Sequence, residues 1–268
     1  MSGTWFIGCG NMGGAMLARW LDTGMAADTV TVIDPQLPTL PHGVRVLAEA
    51  PTSLPPPDMM VLAVKPQVLE QIVPQIATLL GVNTVLVSIL AGIKLAALRE
   101  RFVAPHVIVR AVPNMPVALG RGVVALLADD RAAAERAGLT ALMERLGLAE
   151  WMESEAQLDA VTALSGSGPA FVYRFIDAMA ASGAALGLPP EQALRMALAT
   201  VDGAAGTASA STDTPGELAR KVASPGGTTE RGLSVLDEDG ALATLVRNTL
   251  RAAAERSREL AALAGTGS

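Results

Sequence analysis

The sequence predicts an α/β chain in two parts: a doubly wound parallel sheet over residues 1–153 and an all-helical domain over residues 154–268. Three observations carry that prediction. Apolar strand-like runs alternate with helical patterns through the first half, the signature of a doubly wound sheet. The strands are near-continuously apolar, as in Met59-Met60-Val61-Leu62-Ala63-Val64, which is expected of a parallel sheet covered on both faces. No strand-like run follows about Trp151.

Taken in order, strands are expected over 4–8, 29–34, 44–47, 59–64, 84–89, 107–111 and 122–128. Helices are expected over 13–23, closed by Gly24, over 67–80, closed by Gly81, over 93–102, and over 130–146, closed by Gly147. The Pro-rich stretch 51–57 reads as a loop into the fourth strand. Past Trp151 the pattern turns helical over 155–164, 169–186, 190–209, 215–222, 228–236 and 240–263. The 169–186 helix is apolar around nearly its whole circumference apart from Arg174 and Asp177, which predicts burial on all sides with a partner subunit supplying part of the cover.

Composition narrows the partners. A length of 268 residues suffices for two cores. A formal charge of −6 and a pI near 5.0 argue against a nucleic-acid partner, which needs clustered Lys and Arg. Any anionic ligand must then be held by local dipoles. A mean hydropathy of +0.39 with 50% hydrophobic residues exceeds what one compact monomer hides, so an oligomer is expected. No leader pattern precedes the first strand. The most apolar window, 82–98, is broken by Asn83, Ser88, Gly92 and Lys94, so no membrane span is expected. The single cysteine, Cys9, excludes an internal disulfide and fits a reducing, cytoplasmic setting. No cluster suggests a metal site, and His42 and His106, each beside a proline in a loop, are assigned no catalytic role.

Two glycine loops carry the chemistry. Ile7-Gly8-Cys9-Gly10-Asn11-Met12-Gly13 follows a strand and opens a helix, and Asp34 ends the second strand twenty-one residues after Gly13. That context makes it a dinucleotide-binding loop of the Rossmann type. Gly8 makes the tight turn, Gly10 admits backbone to the pyrophosphate, and Gly13 packs helix on strand. Asp34 either accepts from a ribose hydroxyl or simply ends its strand before Pro35. Val64, Lys65 and Pro66 close the fourth strand, Ala91 and Gly92 follow the fifth, and Asn114, held between Pro113 and Pro116, follows the sixth. All lie where doubly wound sheets place their ligands. Asn114 either faces the nicotinamide or marks a rigid turn. Far downstream, Ser224-Pro225-Gly226-Gly227-Thr228-Thr229-Glu230 puts two glycines before a helix whose free N–H groups would point at an anion, a pocket suited to a small carboxylate. Ser165-Gly166-Ser167-Gly168-Pro169-Ala170 joins two helices, with a plain linker as the simpler reading.

With these segments in order, the chain resembles the Δ1-pyrroline-5-carboxylate reductase family from about Thr4 to Arg258; Ser-Pro-Gly-Gly-Thr-Thr is the most specific part. The resemblance implies hydride transfer from NAD(P)H to the ring C=N of 1-pyrroline-5-carboxylate, giving proline. It implies that Ser224, Gly226, Gly227, Thr228 and Thr229 bind the substrate carboxylate and ring nitrogen, with Thr229 the candidate catalytic residue. It further implies that Ile7, Gly8, Cys9, Gly10, Asn11, Met12, Val64, Lys65, Pro66, Ala91 and Gly92 bind the cofactor, and that the helical domain interleaves with a partner's in a homodimer that can assemble into a ring of dimers. The chain departs from the family at Met115, where a threonine is usual, and at Asp34, near where many relatives carry small hydroxyl residues. Competing readings are a hydroxyacid dehydrogenase or another imine reductase of the same plan, and a non-catalytic nucleotide sensor. The first would place a lysine early in the helix after the glycine-rich joint, and residues 169–174 contain none.

Overall fold

The computed structural model describes residues 3–51 and 54–265, so residues 52 and 53 of the expected 51–57 loop lie outside the described residues. The chain divides into two compact units, Met1–Ser167 together with Ala253–Ser268, and Gly168–Ala252.

The first unit is built on one sheet. Its strands are β1 (Thr4–Ile7), β2 (Val30–Ile33), β3 (Arg45–Leu47), β4 (Met59–Leu62), β5 (Val85–Ser88), β6 (Val107–Pro113), β7 (Gly122–Ala128) and β8 (Gly147–Trp151), in the order β3-β2-β1-β4-β5-β6-β7-β8. Pairing is parallel from β3 through β6 and between β7 and β8, but β6 and β7 run antiparallel. The connection 114–121 is too short for a parallel crossover, which needs a dozen residues or more. β8 corrects the expected strand set: it alternates half-buried and exposed residues at the sheet edge, so it lacks the continuous apolar run of the central strands.

Alternation along each strand splits the core in two. Phe6, Val32, Val61, Val87 and Val109 pack on one face with Met16, Leu17 and Trp20 of α1 (Asn11–Asp22) and Leu139 and Met143 of α4 (Arg136–Glu144). The Phe6 and Trp20 rings meet at 5.8 Å, and the Trp20 indole N–H donates to the Leu142 carbonyl at 3.1 Å, tying α1 to α4. Trp5, Ile7, Met60, Leu62, Leu86 and Ile108 pack on the other face with Leu69 and Ile76 of α2 (Leu69–Ile76) and Leu98 of α3 (Leu95–Arg101). Helix starts shift from the expected ones because 66–68 and 130–132 form 3-10 turns ahead of α2 and α4.

A polar clamp closes this unit. The buried Arg110 of β6 pairs with the carboxylate of Glu155, in the first turn of α5 (Glu155–Val161). The other Glu155 oxygen accepts the N–H of Leu95 at 2.7 Å. One carboxylate therefore joins β6, α3 and α5. The next residues, Thr162–Gly166, form a π-helical turn where the sequence suggested a joint.

The second unit holds α6 (Gly168–Ala185), α7 (Pro190–Ala210), α8 (Pro215–Val222), α9 (Thr228–Asp237) and the first half of α10 (Ala241–Gly265). α6 ends in a Schellman turn, with Gly187 at φ +104°, the Leu188 N–H donating to Gly183 O at 3.2 Å and the Gly187 N–H to Ala184 O at 3.0 Å. α7 folds back against α6, where a Cβ on Gly183 would stand 3.4 Å from that of Ala193. α8 starts with a capping box in which Thr214 and Glu217 satisfy each other's backbone N–H, and that bonding holds the Glu217 carboxyl below its ordinary pKa. In the single chain only Ile176 of α6 is buried, while Tyr173 (61% exposed) and Phe175 (51%) face outward, so burial of α6 on all sides is not met within one chain.

Removing the Glu155 carboxylate should strand the Arg110 charge in a buried position. Glu155→Ala is expected to lower stability by about 2–4 kcal/mol, whereas the double change Arg110→Met/Glu155→Leu should recover much of the loss. Urea unfolding of the three proteins checks this.

Candidate functional site

Register puts the ligand-facing ends of the parallel strands in one row. Ile7 pairs with Ile33 and Leu62, Leu62 with Ser88, and Ser88 with Arg110. Gly8, Asp34, Ala63, Ile89 and Ala111 are the next residues out, and the strand order reverses between β1 and β4, the switch point where doubly wound sheets hold a ligand.

Each glycine of the first loop has a separate geometric reason. Gly8 turns at φ +82°, and a Cβ there would lie 2.8 Å from Val64 Cγ1. A Cβ on Gly13 would lie 2.8 Å from that of Ala63, so α1 can sit on the sheet only with glycine at this point. Gly10 is the N-cap of α1, has no side-chain cap, and a Cβ there would meet nothing within 4 Å. The first N–H groups of α1, from Asn11, Met12 and Gly13, have no helical partner, and the helix opens at the uncrowded Gly10. The cradle fits a pyrophosphate, with the helix dipole favouring negative charge. Cys9 is buried, and burial, reinforced by the Asp34 carboxylate, pushes its thiol up to about 11, so it stays protonated and inert at neutral pH.

Asp34 is tied to this loop. Its Oδ2 accepts the Cys9 N–H at 2.8 Å and its Oδ1 accepts the Gln36 N–H at 2.9 Å. Lys65 is exposed, carries no ion pair among the described residues, and precedes Pro66 at the start of a 3-10 turn; Val64 is half-buried beside it. Gly92 turns at φ +76° next to the exposed Ala91. Asn114 is buried and spends its amide inside the protein: Nδ2 donates to the Ser165 carbonyl at 2.9 Å, and Oδ1 accepts the Val123 N–H at 2.8 Å. Its effect on a ligand would run through the loop it holds. Arg110 and Glu155, which tie the middle of β6 to α5, carried no sequence signal of their pairing, because forty-five residues separate them.

In the second unit, Ser224-Pro225-Gly226-Gly227 forms a turn closed by the Gly227 N–H donating to Ser224 O at 2.9 Å, with Gly226 at φ +72° after Pro225, the type II arrangement. The Gly226 N–H donates to Glu230 Oε2 at 2.7 Å, a contact the sequence did not reveal. Gly227 then caps α9 without a side chain. Because the Gly226 N–H is taken by Glu230 and the Gly227 N–H by Ser224, the free donors are the first-turn N–H groups of α9, led by Thr228 and Thr229. Ser224, Thr228 and Thr229 are all exposed. Among the described residues no group of three or more His, Cys, Asp or Glu could hold a metal, and no helix is long and apolar enough to cross a membrane.

A doubly wound sheet with a glycine loop at its switch point, joined to a helical unit with its own glycine turn ahead of an uncapped helix, is the plan of a dinucleotide-dependent oxidoreductase of two units. The family model described as pyrroline-5-carboxylate reductase dimerisation matches residues 155–260, and that described as NADP oxidoreductase coenzyme F420-dependent matches residues 5–92. The pyrroline-5-carboxylate reductase of Pseudomonas aeruginosa is 37% identical, over 96% of either chain. A pyrroline-5-carboxylate reductase structure from Coxiella burnetii superposes with a TM-score of 0.87 at 30% identity, covering 97% of this chain and 98% of that one. The Plasmodium falciparum pyrroline carboxylate reductase, solved with NADP bound, gives 0.83 at 26% identity, with 97% and 98% covered. The chain belongs to the pyrroline-5-carboxylate reductase family.

The two loop glycines separate stability from ligand binding. Gly13→Ala drives a methyl into Ala63 and should cost about 1–3 kcal/mol of stability. Gly10→Ala should leave the melting temperature nearly unchanged while weakening dinucleotide affinity about tenfold, because only a bound pyrophosphate would meet the new methyl. Calorimetric melting and titration with NADPH and NADH separate the two effects.

Proposed function

We propose that this chain reduces 1-pyrroline-5-carboxylate to L-proline with NAD(P)H, the last step of proline biosynthesis. The observation that carries this reading is the pair of uncapped helix N-termini, one behind Gly10 and one behind Gly227, each preceded by a glycine turn and each fitted to an anion. Family membership supports it along the whole chain.

Behind the Gly8–Gly10 turn, the free first-turn N–H groups of α1 would hold the dinucleotide pyrophosphate, and Val64, Lys65, Pro66, Ala91 and Gly92 would line the crevice beside it. A reduced nicotinamide bound there would supply the hydride. Thr228 and Thr229 N–H groups receive the substrate carboxylate at the α9 N-terminus, with Ser224 beside them and Gly226 and Gly227 shaping the turn. The imine nitrogen takes its proton from water, so no strong acid is required of the protein, and the resulting iminium N–H donates to Thr229 Oγ1. Catalysis then comes from orientation: binding energy at the carboxylate fixes the ring carbon for attack.

Residues 1–153 and 154–268 are the proposed functional halves, a division supported by the matched segments 5–92 and 155–260. The proposed assembly is a homodimer through the helical half, with a ring of dimers as its larger form; the outward Tyr173 and Phe175 of α6 support it. The proposed location is the cytoplasm, where a lone buried Cys9 suits the reducing conditions.

Thr229→Ala should lower kcat/KM for 1-pyrroline-5-carboxylate by about tenfold to a hundredfold, with Thr229→Ser restoring most of it, since an ionic hydrogen bond is worth about 1.5–3 kcal/mol. An unchanged value for the alanine variant refutes the role. Phe175→Glu should shift the wild-type dimer towards monomer in light scattering at micromolar concentration; a monomeric wild type refutes the assembly outright.

A further inference from the structure

We propose that Asp34 sets the choice of cofactor, its fixed carboxylate accepting the adenosine ribose hydroxyls and turning away a 2′-phosphate, so that this chain takes NADH in preference to NADPH. The inference rests on the functional reading above for the identity of the ligand as a nicotinamide dinucleotide, and goes beyond it in naming which one.

A carboxylate at the end of the second strand discriminates only if it cannot swing away. Asp34 is anchored on every side. Its N–H donates to Leu47 O at 2.9 Å and its C=O accepts the Leu37 N–H at 3.0 Å, fixing the backbone. Oδ1 and Oδ2 are held by the Gln36 and Cys9 N–H groups at 2.9 and 2.8 Å. The Cys9 bond is the informative one, because it fastens the carboxylate to the loop that receives the pyrophosphate and so places the charge at a set offset from the dinucleotide. A carboxylate has about four acceptor positions, two on each oxygen. Two are used by the protein, leaving two for a pair of vicinal hydroxyls.

The segment that follows Asp34 offers a 2′-phosphate few cations. From Pro35 to Asp58 the only cationic or titratable basic side chains are His42 and Arg45. Arg45 pairs with Thr31 in the β2–β3 register while Leu47 pairs with Ile33, so Arg45 sits two residues back from the ligand edge, and the nearest further charge along the chain is Glu49, another acid. The turn that carries the Asp34 bonds also forces Leu37 to φ +47°, a conformation that non-glycine residues adopt at a cost, so this loop is built around the carboxylate rather than draped over it.

Calorimetric titration of the full-length wild type with NADH and with NADPH, without substrate, tests the idea directly. NADH should bind at least about fivefold more tightly, the discrimination a like-charge contact sustains at a partly solvated site. The ratio should narrow between about 20 mM and 500 mM salt as that repulsion is screened. Asp34→Asn, which retains an acceptor for a loop N–H but loses the charge, should move the ratio towards NADPH by about fivefold, and kcat/KM for the two cofactors should follow. A wild-type ratio under about twofold, or one favouring NADPH, overturns the inference while leaving the reductase reading intact. Binding of neither dinucleotide at millimolar concentration overturns both. The wild-type ratio decides the matter even if the Asn variant fails to fold.

Discussion

The parallel register of β3 through β6 is the constraint on which the first unit depends. Because Ile33, Ile7, Leu62, Ser88 and Arg110 stand in one row, the loops that follow those strands emerge side by side on a single edge. A slip of one residue in any strand would turn its whole apolar set to the other face. The split of Phe6, Val61 and Val87 to one core and Ile7, Leu62 and Leu86 to the other forbids that slip. Core packing therefore aligns the chemistry without any functional residue taking part.

Polar side chains then fasten the edge at points where hydrophobic packing has no directional preference. Asp34 holds the glycine loop, Asn114 holds the end of β6 to the start of β7 and to the π-helical turn, and Glu155 holds β6 to two helices. Each takes backbone N–H groups that would otherwise be unsatisfied near a ligand-binding edge, and an unmade hydrogen bond there would cost about 1–3 kcal/mol. The acidic net charge of the chain is consistent with this economy: under the proposed reading, anions would be received by helix ends and turn amides rather than by clusters of Lys and Arg.

Much of this was legible in the sequence, and the failures share a physical cause. Continuous apolar strands such as Met59–Leu62 and glycines at fixed spacing announce themselves locally. β8 did not, because an edge strand with one wet face has only a few inward residues, and Gly147 at φ +137° looked like a helix stop while it also let β8 close against Gly122. The antiparallel β7 could have been read from the length of the 114–121 connection, a signal of chain reach rather than of composition. The pairings Arg110 with Glu155 and Gly226 with Glu230 show the two limits. The first is too distant in sequence to see; the second is only four residues apart but depends on a side-chain rotamer. The proposed substrate and cofactor positions were read from the glycine turns, whereas the groups that hold those turns in place could not be.

The long α10 belongs to both compact units, with its residues from Ala253 onward grouped with the sheet, where the Ser257 hydroxyl donates to Asp159 of α5 at 3.2 Å. The second unit is thus an excursion within the first, leaving it after α5 and returning at Ala253. At about 5–20 residues per second, the roughly ninety residues between α5 and Ala253 separate the synthesis of Asp159 from that of its partner Ser257 by several seconds, so this contact cannot guide the early folding of the sheet.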